Sequence, residues 1–301
     1  MTKSLKAIEN LKKLNLKNSR YEDVLELVLQ ITYPAFFFHL EAGKSVFRAR
    51  PHKENEMFHF EKELSYRTDI QNINNHNRAN PAYSTMFYGA IATQFVKDGY
   101  LISATETSDL CRNNKDGVDA LTLRVDTLTI SKWILKRSMK VLIIMNPTNY
   151  KFHSKDIDDI YRAYLDFINS QEYPEEIKLI SSYLANEFSK KVKKGEEYEY
   201  MISAAFSELF FDKGFGFNGI VYPSVQTELQ GYNIAIMPYV VDDNLILDKV
   251  LLAQLHKTGN DIDFPQFKLA SLNYPYYQQP FQYNDLNIEY KLGLKYLLPN
   301  R

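Results

Sequence analysis

Arg78, Glu106 and Ser224 are the residues whose types and settings could do chemistry in this chain. Arg78 sits in Asn77-Arg78-Ala79-Asn80-Pro81, ahead of Phe87-Tyr88-Gly89. Glu106 closes Leu101-Ile102-Ser103-Ala104-Thr105-Glu106, and Ser224 ends Gly219-Ile220-Val221-Tyr222-Pro223-Ser224. Each stands at the edge of an apolar, strand-like run. A guanidinium fork can donate two hydrogen bonds to one phosphate group. A carboxylate can accept from a sugar hydroxyl and face positive charge developing on the anomeric carbon, as glycosidase carboxylates do. Serine and tyrosine can orient an amide and a ring. Each residue also has a plain reading. Arg78 lies in an Asn-rich loop where an arginine is ordinarily solvated. Glu106 also reads as an N-terminal helix charge, with Thr105 or Ser103 as cap. Ser224 after Pro223 also reads as a turn serine, and Tyr88 as a core residue.

The elements that must position these residues are short. Leu5, Ile8, Leu11 and Leu14, then Val24, Leu25 and Val28, recur at helical spacing, so residues 4–30 read as two helices broken at Lys17-Asn18-Ser19 and stopped by Pro34. Ser45 to Arg50 alternates as a strand does, with Pro51 as its stop. Residues 52–83 read as a long loop, which in a compact domain points to function or disorder. Met86–Ala92, Tyr100–Ala104, Ala120–Ile130 and Lys140–Met145 read as strands, with a short helix over 91–98 as an alternative. Three helices follow, one capped by Ser154, one from Pro174 to Gly195 and one from Tyr198 to Phe211. Strands return at Ile220–Tyr222 and Ile234–Val240, and the tail from Leu245 is mixed. Strands, a helical insertion and strands again argue for an α+β fold with a mainly antiparallel sheet. No GxGxxG follows a strand, so a Rossmann domain is not expected.

The composition bounds the function. The 301 residues are 45% hydrophobic and 24% charged, globular values. Net charge is -1, from 36 Lys and Arg against 37 Asp and Glu, so no global basic field exists to hold a nucleic acid. Cys111 is the single cysteine, which excludes an intrachain disulfide and fits a reducing compartment. The first residues lack the apolar core of a signal peptide, and no apolar run is long enough for a bilayer. A cytoplasmic protein with no membrane partner is expected. His39, His52, His59, His76, His153 and His256 show no paired metal spacing. Lys190 to Lys194 reads as a solvated helix end. The 22 tyrosines and 19 phenylalanines also supply rings for stacking.

The three residues and their settings resemble the RES domain, a family named for its arginine, glutamate and serine. Its members are similar to ADP-ribosyltransferases in fold, and known members degrade NAD. Arg78 matches the arginine of the family's Gly-Arg-aromatic-Asn-Pro loop, with Asn77 in place of the glycine and Ala79 in place of the aromatic. Asn80 matches that loop's asparagine, and Tyr88 the tyrosine of the following strand. Glu106 matches the glutamate after a longer interval, which an extra segment near Val96–Tyr100 would explain. Tyr222, Ser224 and Asn233 match the Gly-Ile-x-Tyr-Pro-Ser run and the asparagine after it. Arg48 or Arg50 matches the arginine of the first strand; alternation puts both on one face, and Arg48 directly follows the apolar Val46-Phe47 pair. The resemblance spans about residues 45–240. It gives a helical segment over 1–40, a catalytic domain over 41–245 and a C-terminal extension over 246–301 that packs on the same domain.

The resemblance implies an enzyme that cleaves the nicotinamide–ribose bond of NAD, by hydrolysis or phosphorolysis. NAD is then substrate, and no cofactor is needed. Arg78 with Arg48 or Arg50 would hold the diphosphate, Glu106 would stabilise the ribosyl cation, Tyr88 would stack and Ser224 would orient nicotinamide. Such proteins are similar to toxins of toxin–antitoxin pairs, so a separate antitoxin protein and self-association are further expectations. Two alternatives stay open: transfer of ADP-ribose to a macromolecule, and a non-catalytic nucleotide-binding regulatory module.

Overall fold

The computed structural model describes residues 2–53, 56–91, 99–108, 110, 123–148, 155–212, 214–224, 231–258, 261–272 and 279–285. Cys111, His153 and Ser154 lie outside the described residues.

The chain opens with two short helices, α1 (Lys3–Lys13) and α2 (Tyr21–Val28). Thr2 caps α1, its hydroxyl accepting from the Leu5 N–H at 3.3 Å. Ala7, Ile8 and Leu11 are buried on α1, and Val24 and Val28 on α2. α2 ends at Val28, six residues ahead of the proline expected to stop it. Strands β1 (Phe37–Leu40) and β2 (Ser45–Pro51) follow. The expected loop over 52–83 holds one helical turn, α3 (Glu61–Leu64), and a 3-10 turn at Ile70–Asn72.

β3 (Phe87–Ile91) then leads towards α4 (Gly99–Thr107). The run Tyr100–Ala104, expected as a strand, is therefore helical. Leu101, Ile102, Ser103, Ala104 and Thr105 are all buried, so no polar face exists to produce a helical period in the sequence. Its hydroxyls are satisfied inside the helix: Ser103 Oγ donates to the Tyr100 carbonyl at 3.0 Å and Thr105 Oγ1 to the Leu101 carbonyl at 2.9 Å.

β4 (Arg124–Leu135) and β5 (Met139–Ile143) precede α5 (Lys155–Asn169), α6 (Pro174–Phe188) and α7 (Met201–Asp212), the last entered through a 3-10 turn at Glu197–Tyr200. Pro174 opens α6, with Glu175 and Glu176 in its first turn. The strands that return are β6 (Gly219–Pro223) and β7 (Tyr232–Ile236). The strand expected to reach Val240 stops at Ile236, because Pro238 opens α8 (Pro238–Asn244). The tail contributes β8 (Leu245–Thr258), β9 (Asp261–Ser271) and β10 (Gln282–Asp285).

The strands form one sheet in the order β1-β5-β6-β7-β3-β2-β4-β8-β9-β10. Among the described residues only β5 and β6 pair in parallel. The helical insertion α5–α7 lies between them in the chain, as a parallel pair requires a long crossover. The fold is thus α+β with a mainly antiparallel sheet, and the strands after Leu245 continue that sheet across β4.

Alternation gives the sheet two different faces. Val46, Phe87, Trp133, Val141, Val221 and Ile234 point to one, packed with Tyr161, Tyr164 and Ile168 of α5 and with Phe58 and Leu64. Leu142, Ile220, Tyr222 and Ala235 point to the other, under α1, α2, α6 and α7. α4 covers the same second face further along, against Ala49, Ala90, Leu128 and Ile130. No helix among the described residues is long and apolar enough to cross a membrane.

Candidate active site

Asn77 and Asn80 form a two-residue bridge, Asn77 N–H to Asn80 carbonyl at 2.9 Å, which puts Arg78 and Ala79 at a tight tip. The Asn80 amide lies inside this loop and donates to the carbonyls of Pro81 and Ser84, both at 2.9 Å. The Tyr88 hydroxyl completes it, donating to Asn80 Oδ1 at 2.6 Å and accepting from the Ala79 N–H at 3.0 Å. Asn80 is 3% exposed and Ala79 2%. The tip is packed against the core. Burial and the neighbouring phenols of Tyr222 and Tyr200 hold the Tyr88 hydroxyl well above its usual pKa, so it stays a donor.

This loop aims Arg78 at the second face of the sheet. Its guanidinium lies between two rings, 5.0 Å from the Tyr200 centroid and 5.8 Å from that of Tyr222. Nη1 donates to the Phe188 carbonyl and Nη2 to the Lys190 carbonyl at 2.9 Å. These carbonyls lie at the C-terminal end of α6, the negative end of its dipole. Lys190 is itself paired, with Glu187 at 2.7 Å and Glu199 at 3.3 Å, while Lys191, Lys193 and Lys194 are exposed. The basic run is therefore solvated only past its first residue.

Glu106 lies in the last turn of α4, not at a helix N-terminus. A carboxylate there faces the negative end of the dipole, which costs about 0.3–1 kcal/mol. Ser224 compensates: its hydroxyl donates to Glu106 Oε1 across 118 residues of sequence. Ser224 is fully buried and ends β6, its N–H on the Gly231 carbonyl at 2.8 Å. Tyr222 pairs with Asn233 across β6 and β7, so both side chains share the face that carries Tyr88 and Ser224.

Arg78, Asn80, Tyr88, Glu106, Tyr222, Ser224 and Asn233 thus share the second face of the sheet. Arg48 and Arg50 do not join them. They alternate with Phe47 and Ala49 on β2, so their side chains leave from the first face. Arg48 lies over the Phe87 ring at 5.1 Å and donates to the Tyr88 carbonyl at 2.7 Å. Arg50 lies over Phe58 at 4.8 Å and donates to the Glu63 carbonyl. Tyr200, the second wall of the Arg78 site, is not evident in the sequence, because nothing local separates it from the other tyrosines. Its position follows only from the docking of the 3-10 turn against the Arg78 loop.

Among the described residues no group of three or more His, Cys, Asp or Glu side chains could hold a metal ion. His76 flanks the Arg78 loop instead, stacked on Tyr21 at 5.0 Å and accepting from the Ala82 N–H at 3.2 Å. No protein-family model matches the chain. No curated protein matches it by sequence.

Proposed function

We propose that the chain cleaves the nicotinamide–ribose bond of NAD, as the RES resemblance implies, with Glu106 and Ser224 at the reacting centre. One observation supports this most: a carboxylate and a buried serine, far apart in sequence, are hydrogen-bonded on the face that carries Arg78, Tyr222 and Asn233. Under this reading the mainly antiparallel sheet with α4 laid across it is of the ADP-ribosyltransferase kind.

Nicotinamide is a good leaving group, so the reaction needs orientation and charge stabilisation more than acid catalysis. Glu106 faces the positive charge that develops on the ribosyl carbon as the C–N bond breaks. Nicotinamide leaves with the bonding electron pair. Water or phosphate then adds to the carbon, and for water a proton is released. Ser224 fixes the carboxylate, and under the RES resemblance it would also orient the nicotinamide amide. The guanidinium of Arg78 has five N–H donors. Two are engaged by the Phe188 and Lys190 carbonyls, and a diphosphate would draw on the remainder. Tyr88 acts through the loop, since its hydroxyl is held by Asn80 and Ala79. A separate inhibitor protein belongs to this reading if the enzyme is a toxin.

Incubating wild type and Glu106→Gln with NAD, with and without phosphate, tests the assignment. Free nicotinamide is expected from wild type, at a rate about 100-fold or more above that of the variant. Phosphate dependence separates phosphorolysis from hydrolysis. Intact NAD under every condition, without any inhibitor, would sink the reading. Label passing from NAD to a macromolecule would instead establish transfer.

A further inference from the structure

The first face of the sheet carries a feature that NAD cleavage does not use. Arg48 and Arg50 stand two residues apart on β2, about 7 Å along the strand. Neither has a carboxylate in an ion pair among the described residues. Arg48 is buried enough that its pKa falls to about 10, through desolvation first and the Arg50 charge second. Its Nε is buried without a hydrogen-bond partner among the described residues. Arg50 is driven the same way by burial. Buried cations are ordinarily paired, because an unpaired one loses solvation without a Coulombic return.

Beside Arg50 opens a cleft of about 360 Å³, where Lys53, Lys62 and Arg67 add three more cations. Among the described residues Asp69 is the single carboxylate of the lining, and it is held by Arg67 through two hydrogen bonds of 2.9 and 2.6 Å. Glu56, Glu63 and Asp69 act on Arg50 through their charge and offset part of its burial, but each carboxylate is also engaged by other groups. Glu63 Oε2 accepts the N–H groups of His59 and Phe60, both at 2.7 Å, and Glu56 Oε2 the N–H of Lys53 at 3.4 Å. Lys53 and Lys62 have no ion-pair partner among the described residues. Among the described residues, Arg50, Lys53 and Lys62 therefore present three cations to the cleft, none of them in an ion pair. Thr68 adds a hydroxyl and Tyr66 a ring.

We propose that this cleft is a second anion site, separate from the Glu106–Ser224 centre, that takes a diphosphate group. Three cations and a hydroxyl around a polar cleft match a group that carries more than one negative charge and several acceptor oxygens. The described lining is polar and charged, so the diphosphate is the recognised part, whether free or at the end of a nucleotide. The site rests on the first face alone and stands whether or not the chain cleaves NAD.

Titration calorimetry with inorganic diphosphate tests it, on wild type, Lys53→Gln/Lys62→Gln and Arg78→Lys. Both lysines are exposed, so the double variant keeps the fold. Saturable binding is expected to wild type. One saturable component should weaken by about tenfold or more in the double variant and persist in Arg78→Lys, whatever that variant does to binding at the Glu106–Ser224 centre. A parallel titration with ADP distinguishes the sources, equal affinity marking the diphosphate alone and tighter binding a nucleotide. Absence of saturable diphosphate binding overturns the site. So does unchanged binding in the double variant, or loss of that component in Arg78→Lys, which would move the anion to the other face.

Discussion

At the scale of single residues, the loop Asn77–Ser84 shows how side-chain hydrogen bonds fix the position of an arginine. Asn80 and Tyr88 replace water as partners for buried groups, and Arg78 then projects from a rigid tip. Tyr88→Phe leaves Asn80 Oδ1 and the Ala79 N–H without that partner. It should lower stability by about 1–3 kcal/mol, read from the urea midpoint. Arg78→Lys keeps the charge but loses the planar fork that reaches two carbonyls and lies between two rings. If the NAD reading holds, KM for NAD rises by about tenfold or more, from the loss of roughly 1.4 kcal/mol of binding. An unchanged KM would remove Arg78 from the substrate site while leaving Glu106 in place.

At the scale of elements, α4 decides where Glu106 stands. Its first residue is Gly99, where an added Cβ would lie 2.0 Å from Phe47 Cδ2. The Phe47 ring is buried and packed edge-on against Tyr100 at 4.5 Å, so it has little room to retreat. Gly99→Ala should cost about 1–3 kcal/mol and shift α4 on the sheet. If the NAD reading holds, nicotinamide release should fall with it. Phe47→Leu in the same chain should recover part of the loss, a coupling that a double-mutant cycle measures. Additive effects would show that the close approach does not set the position of α4. The sequence did not mark this helix as one, because burial on every side removes the polar stripe from which a helical period is read.

At the scale of the whole molecule, the sheet separates two sets of cationic chemistry, and pH acts on both flanks. Burial lowers the pKa of His52, beside β2, and of His76, beside the Arg78 loop. An unfolded histidine titrates near 6.5. Below that pH the unfolded chain binds protons that the folded chain refuses. The stability these residues contribute is full above about 6.5 and is lost as pH falls through their folded values. Urea midpoints at successive pH values, followed by the fluorescence of the single tryptophan, buried Trp133, should therefore fall from pH 7 to 5. His76→Gln should flatten part of that slope. An unaltered slope would mean that His76 is protonated as easily in the fold as outside it.

The sequence by itself determined the amphipathic helices, the alternating strand at Ser45–Arg50, the helical insertion and the α+β class. These are written in local periods of apolar residues, which depend on neighbours within a few positions. It also marked Arg78, Glu106 and Ser224 as residues with chemical potential, from their types and settings. Only the tertiary structure decided that Glu106 ends a helix and meets Ser224 from 118 residues away. It alone placed Tyr200 over Arg78 and turned Arg48 and Arg50 to the opposite face. Alternation along β2 gives the relative orientation of its side chains, but which face is which depends on what packs above and below. α4 on one side and Phe58 with α5 on the other make that choice, through burial that no local segment encodes.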